Sequence, residues 1–255
     1  LTAFFEYRNS HYGAQKLAYA QNNGKAPGLI FLPGFKSDLT GTKAEAVADW
    51  AIRHGHTCLR FDYFGHGQSS GDFRAGTISG WREEVTTVID ALTAGPQILI
   101  GSSFGGFMAT LAALDRPERI TALVLIAPAF DMTERLMRAA LSAEELAAMA
   151  RDGFVQRHSD YDDEGYPITA KLLEDGKSHC ILQATIPLSI PIRILHGQQD
   201  DAVPWQLSQE FATRCTSNDI ELHFFKSGDH RLSSPSEIAA LTAMLQRLKD
   251  QIGTP

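Results

Sequence analysis

The chain has 255 residues, 44% hydrophobic and 21% charged, enough apolar side chain to fill one domain or a domain with a modest insertion. Its net charge of −7 argues against broad binding to nucleic acid or an anionic membrane, both of which need a basic surface, so the expected partner is a small or neutral molecule. Three scattered cysteines make no disulfide framework, and no stretch nears the ~18 apolar residues of a membrane span. A reducing interior is expected: the cytoplasm, or the mitochondrial matrix if a targeting segment has been removed.

Two short strands open the chain, around 3–7 and 16–21, and Asn22, Asn23 and Gly24 supply the turn for a reversal. The run 28–32 is apolar throughout, as in a strand covered on both faces, and ends in Pro33-Gly34-Phe35. A helix over 42–54 is stopped by Gly55. A second buried strand, 57–61, delivers Asp62 and a loop rich in small residues, Gly65 to Ser69. A helix follows over 78–94. Then comes the strand Gln-Ile-Leu-Ile-Gly at 97–101, which runs into Gly101-Ser102-Ser103-Phe104-Gly105 and a helix to about 114.

Another buried strand is expected at 120–126. The strand–helix rhythm breaks between 131 and 186, where Ser142 and Glu145 spell a capping-box start and the Leu, Met and Ala pattern is amphipathic. This segment is read as a helical cap, 131–186, over a core built from 1–130 and 187–255. The rhythm resumes with a strand at 192–196, a helix opened by Pro204, a strand at 220–225 and a last helix from about 235. In that helix Ile238, Leu241, Leu245, Leu248 and Ile252 share one face. Alternation of this kind implies an α/β fold: a mostly parallel sheet with helices on both faces, whose ligands sit beyond the carboxyl ends of the strands.

The pentapeptide 101–105 is a GxSxG nucleophile elbow, in which small residues let the chain turn sharply and expose the Ser103 hydroxyl. Alone it is equally a glycine-punctuated turn. A serine needs a general base, and the base an orienting carboxylate. Asp200, beyond the 192–196 strand, and His230, in Ser227-Gly228-Asp229-His230 beyond the next strand, stand in the right order at consecutive strand ends. Asp201 competes with Asp200, with hydrogen bonding inside its loop or capping at Pro204 as its other employment. The backbone N–H groups of Phe35 and Phe104 stand where oxyanion donors are needed, and their rings either line an apolar pocket or belong to the core.

Other groupings carry less. His54, His56 and Cys58 form a metal trio only on paper, because a helix end and a strand need not converge. His179 and Cys180 are adjacent and diverge. Asp62 and its glycine loop shape a turn beside the site. No phosphate-cradling glycine motif is present, so no nucleotide cofactor is expected; no other cofactor and no metal is expected either.

With the elbow, acid loop and histidine loop in place, the chain resembles the α/β-hydrolase superfamily over nearly its whole length. The runs Gly-Thr-Lys-Ala at 41–44, Arg-Phe-Asp-Tyr at 60–63, Gly-Pro-Gln-Ile-Leu-Ile-Gly-Ser-Ser at 95–103, Leu-His-Gly at 195–197, Asp-Asp-Ala-Val-Pro-Trp at 200–205 and Ser-Gly-Asp-His-Arg at 227–231 are similar to a mammalian mitochondrial branch of it. That resemblance implies a Ser103, Asp200 and His230 triad, with Asp200 favoured over Asp201. It also implies a cofactor-independent hydrolase acting on carboxylic esters or acyl thioesters, small molecules or acylated proteins, as acyl-protein thioesterases and acyl-glucuronide esterases of that branch do. Phe104 and Phe107 beside the nucleophile and the segment 131–186 depart from the branch's pattern. Two other readings use the same residues: a ligand-binding or signalling homologue with negligible turnover, and a perhydrolase or haloperoxidase.

Overall fold

Apolar strands with residues of alternating parity on opposite faces build the sheet, and its carboxyl edge carries the site. The computed structural model describes residues 1–159 and 162–252. Strands β1 (Ala3–Asn9) and β2 (Gly13–Asn22) form an antiparallel hairpin at one edge. They are followed by β3 (Lys25–Leu32), α1 (Thr42–His54), β4 (His56–Phe61), α2 (Ile78–Leu92), β5 (Gln97–Ser102), α3 (Phe104–Asp115) and β6 (Ile120–Ile126). After an insertion come β9 (Ile192–Gly197), α6 (Gln206–Arg214), β10 (Ile220–Phe225) and α7 (Pro235–Ile252). The insertion carries α4 (Ala143–Asp152), β7 (Phe154–Ser159), β8 (Asp162–Thr169) and α5 (Ala170–Gly176).

The main sheet has the order β1-β2-β4-β3-β5-β6-β9-β10, parallel from β4 to β10. The reversal expected at 22–24 is present, although β2 pairs with β4 rather than β3. Leu99, Leu123 and Ile194 face the side packed by Trp81 of α2 and Phe107 of α3. Ile98, Ile100 and Val124 face Trp50 of α1 and Leu241 of α7. Burying both faces in this way supplies most of the folding drive, at about 25 cal/mol per Å² of apolar surface. Met244 joins Leu241, Leu245 and Leu248 on the buried stripe of α7, whereas Ile238 and Ile252 are only partly covered.

Local signals set the helix ends. Gly55 closes α1 in the left-handed region, φ 72°, where a side chain would be strained. Ser142 and Glu145 form the expected capping box of α4. Ser234 and Glu237 make a second reciprocal pair at the start of α7.

The insertion is not wholly helical. Phe154–Ser159 and Asp162–Thr169 pair antiparallel, with Val155 opposite Ile168 and Arg157 opposite Tyr166. The acidic run 162–164 and Pro167 break the alternation that would have announced these strands; Asp160 and Tyr161 lie outside the described residues. The neck of the insertion is closed by Asp131, whose carboxylate accepts the N–H groups of Ile181 at 2.7 Å and Leu182 at 3.0 Å. Its far side is tied to α2, because the Ser79 hydroxyl donates to Asp175 and lies 2.7 Å from His179 Nε2. Among the described residues no helix is long and apolar enough to cross a membrane.

Candidate active site

The six residues of β5 are all buried, and the chain leaves them through Ser103 at φ 54° and ψ −117°. Such a conformation costs of order 1–3 kcal/mol for a residue with a side chain and persists only where its surroundings impose it. Here they do. Ser103 N–H donates to Ile126 O at 2.8 Å, and Ser103 O accepts from Gly106 and Ala129. A Cβ on Gly101 would lie 2.2 Å from Gly105 O, and one on Gly105 would lie 2.0 Å from Leu32 O. Only glycines let α3 turn back this closely over β5 and β3.

The loops after β9 and β10 are joined by the Gln199 N–H, which donates to Gly228 O at 2.9 Å. Asp229 Oδ1 accepts the N–H groups of Arg231 and Leu232, so His230 projects from a braced turn. Its Nδ1 lies 2.7 Å from Asp200 Oδ2, and its Nε2 lies 3.0 Å from Ser103 Oγ. A carboxylate can only accept, so Nδ1 holds the proton and Nε2 is left to accept from the serine hydroxyl.

Asp200, not Asp201, meets the imidazole. Its side chain is fully buried, and its other oxygen accepts the N–H groups of Ala202 at 3.0 Å and Val203 at 2.7 Å. Burial alone would raise its pKa. Hydrogen bonds from His196 and His230, helped by the Val203 N–H, outweigh burial and hold the pKa down to about 2, so the group is ionised at neutral pH. Asp201 is exposed on the rim of the cavity beside Ser103.

That cavity has a volume of about 680 Å³. Phe35, Met132, Leu136, Met137, Tyr166 and Ile168 give it an apolar wall, and Lys43, Arg157 and Arg231 give it a charged mouth. Burial drives the Lys43 ammonium down to about 8, against the pull of Asp229 and Glu237. The loop bearing Phe35 crosses close over the nucleophile: a Cβ on Gly34 would lie 3.7 Å from Ser103 Cβ. Neither the Phe35 nor the Phe104 amide enters a backbone hydrogen bond among the described residues. The two rings differ. Phe35 lines the cavity, whereas Phe104 is fully buried core against Trp81 and Tyr63.

Asp62 braces the Phe35 loop from behind, accepting Leu39 N–H at 2.7 Å and Gln68 N–H at 2.8 Å. The histidines set aside on paper are employed elsewhere. His54 and His56 stack on Trp50, and their Nδ1 atoms face the carbonyls of Trp50 and Pro27. His179 engages Ser79 and Arg82 while the Cys180 thiol turns to Gly176 O. His196, which sequence reasoning left unassigned, reaches Asp200; its signal was an imidazole inside a strand buried along its whole length. A more open cleft of about 630 Å³ near Thr185, Glu210 and Cys215 lies apart from this arrangement.

A family model described as serine aminopeptidase, S33, matches residues 28–163. The human mitochondrial palmitoyl-protein thioesterase ABHD10 is 39% identical over 239 residues, covering 93% of this chain and 78% of its own. The solved structure of mouse α/β hydrolase domain-containing protein 10 superposes with a TM-score of 0.89 at 37% identity, over 98% of this chain and 100% of that one. A crystal structure from Agrobacterium vitis S4 gives a TM-score of 0.92 at 33% identity, over 97% and 99% of the two chains.

Proposed function

The chain belongs to the α/β-hydrolase family, and from that premise we propose that it is a serine hydrolase cleaving carboxylic esters or acyl thioesters through an acyl-enzyme. The observation that carries this reading is the unbroken line from Ser103 Oγ through His230 to the buried Asp200 carboxylate. His230 Nε2 takes the hydroxyl proton as Ser103 Oγ attacks the acyl carbon, and returns it to the departing alcohol or thiol. Water then repeats the sequence on the acyl-enzyme. Asp200 remains ionised throughout and stabilises the imidazolium that forms between steps.

The oxyanion of each tetrahedral intermediate is received by the Phe35 and Phe104 amides. Donors of this kind are each worth about 10²- to 10³-fold in rate. None of these steps calls for a metal or a cofactor. The apolar wall of the cavity suits an acyl chain, and its charged mouth suits a polar leaving group, whether a small molecule or the cysteine of an acylated protein. The ABHD10 relatives are named palmitoyl-protein thioesterases, which favours the thioester within this class. Their names also place them in mitochondria, and the reducing compartment proposed for this chain takes in the matrix as well as the cytoplasm.

Steady-state assays with p-nitrophenyl esters and long-chain acyl thioesters test the proposal. Wild-type protein turns over at least one set and Ser103→Ala neither. Equal turnover by the two proteins, or none by the wild type, removes it.

A further inference from the structure

Asp200 Oδ2 is approached by two imidazoles, and the proposed chemistry uses only one. His196, fully buried in β9, places its Nε2 3.2 Å from Asp200 Oδ2 and 3.0 Å from Val203 O. Both partners can only accept, so Nε2 carries a proton and donates to them. On the other side of the ring, Nδ1 lies 2.7 Å from the hydroxyl of Ser208, itself fully buried in α6. The ring thus spans from α6 to the acid loop.

We infer that His196 is a positioning residue that acts on His230 through Asp200. The inference rests on the proposed triad. Its donated hydrogen bond holds Oδ2 in the direction of His230 Nδ1 and stabilises the carboxylate's negative charge. By holding Val203 O it also closes the loop whose Ala202 and Val203 N–H groups fix Oδ1. Every lone pair that could let the carboxylate swing is therefore engaged. A carboxylate deprived of this donor becomes more basic, and a more basic partner raises the affinity of His230 for its proton. The acid limb of the pH–rate profile then moves to higher pH.

The other charged groups that line the cavity with His230 come from several elements: Lys36 and Asp38 from the loop after β3, Lys43 from α1, Arg157 from β8's partner strand, Asp201 from the acid loop and Arg231 from the histidine loop, where Asp229 also stands next to His230 in sequence. They stay constant across the variants below, so a displaced limb reports the 196–200 contact.

The test compares His196→Asn with His196→Gln. An asparagine amide keeps a polar group near the Nδ1 position but does not reach Asp200. The longer glutamine places an N–H₂ near Nε2. For His196→Asn, kcat is expected to fall about 10- to 100-fold, the general worth of a hydrogen bond to a charged group, with KM within twofold of wild type. The acid limb is expected to rise by about half a pH unit or more. His196→Gln is expected to restore most of both. A folded His196→Asn with wild-type kcat and an unmoved limb overturns the inference, as does a glutamine variant no better than the asparagine one. If His196→Asn does not fold, Ser208→Ala, which loosens the ring without touching β9, is expected to move the limb the same way, and an unmoved limb there is equally decisive. Wild-type protein that hydrolyses nothing would instead remove the triad reading itself.

Discussion

Gly105 and Leu32 approach so closely that the carbonyl oxygen of the leucine occupies the space a Cβ on the glycine would need, 2.0 Å away. This contact lets α3 start directly over β3 and holds Ser103 at its positive φ. In Gly105→Ala, backbone must move against backbone. A stability loss of about 1–3 kcal/mol is expected, the usual range for overpacking, together with slower attack by Ser103. Urea unfolding and the rate of fluorophosphonate labelling measure the two effects; a variant with wild-type values for both contradicts the role given to the contact.

The neighbouring carboxylates Asp200 and Asp201 are separated by function in the proposed mechanism. Asp200→Asn puts an amide where His230 Nδ1–H needs an acceptor, and kcat is expected to fall about 10⁴-fold, as when such a triad loses its carboxylate. Asp201→Asn, on the exposed rim, is expected to stay within about threefold of wild type, the ~0.5 kcal/mol scale of an ordinary surface change. Parallel kcat determinations decide it, and comparable losses in the two variants would undo the assignment.

Much of this was readable before any coordinates, for physical reasons that also explain what was not. The elbow announces itself because Gly101 and Gly105 are needed by sterics within five residues. The strands β3, β4, β5, β6 and β9 could be placed because largely apolar runs mark strands covered on both faces, whereas their order in the sheet is set by long-range pairing. Asp200 and His230 could be named because they end consecutive strands, but the bond between them depends on the Gln199–Gly228 tie across two loops, which no local pattern encodes. The hairpin of β7 and β8 was hidden by charged residues and a proline, and the second imidazole on Asp200 by its place inside a buried strand. Phe104, placed by sequence beside the nucleophile, contributes its amide to that position while its ring belongs to the core.

Met137 and Ile168 come from the insertion and face the cavity beside Ser103. Ile168→Trp fills part of its 680 Å³, and long acyl chains are expected to lose at least about tenfold in kcat/KM while acetate is little affected, the scale on which apolar pockets discriminate by size. A p-nitrophenyl ester series from two to sixteen carbons provides the readout. A uniform loss at every chain length would place the acyl group elsewhere.

Glu84 is buried, has no cationic partner among the described residues, and receives hydrogen bonds from the Tyr7 hydroxyl and from Phe64 N–H. Burial raises its pKa to about 8, with those two bonds opposing the rise. Between the unfolded value near 4.5 and the folded value near 8, the native state binds more protons than the unfolded one. Stability therefore falls as pH rises through that window, by an amount on the order of a few kcal/mol. Glu84→Gln, which cannot ionise, is expected to flatten the decline. Urea midpoints for both proteins from pH 5 to 8.5 give the comparison, and identical slopes would contradict it.

The central claim is that Ser103 is a nucleophile activated by His230, and covalent labelling by a fluorophosphonate followed by intact-mass and peptide analysis addresses it most directly. The expected result is a single adduct on Ser103 in the wild type, absent from Ser103→Ala and formed far more slowly by His230→Ala. No adduct on the wild-type protein, or an adduct of unchanged mass and rate on Ser103→Ala, would contradict the account.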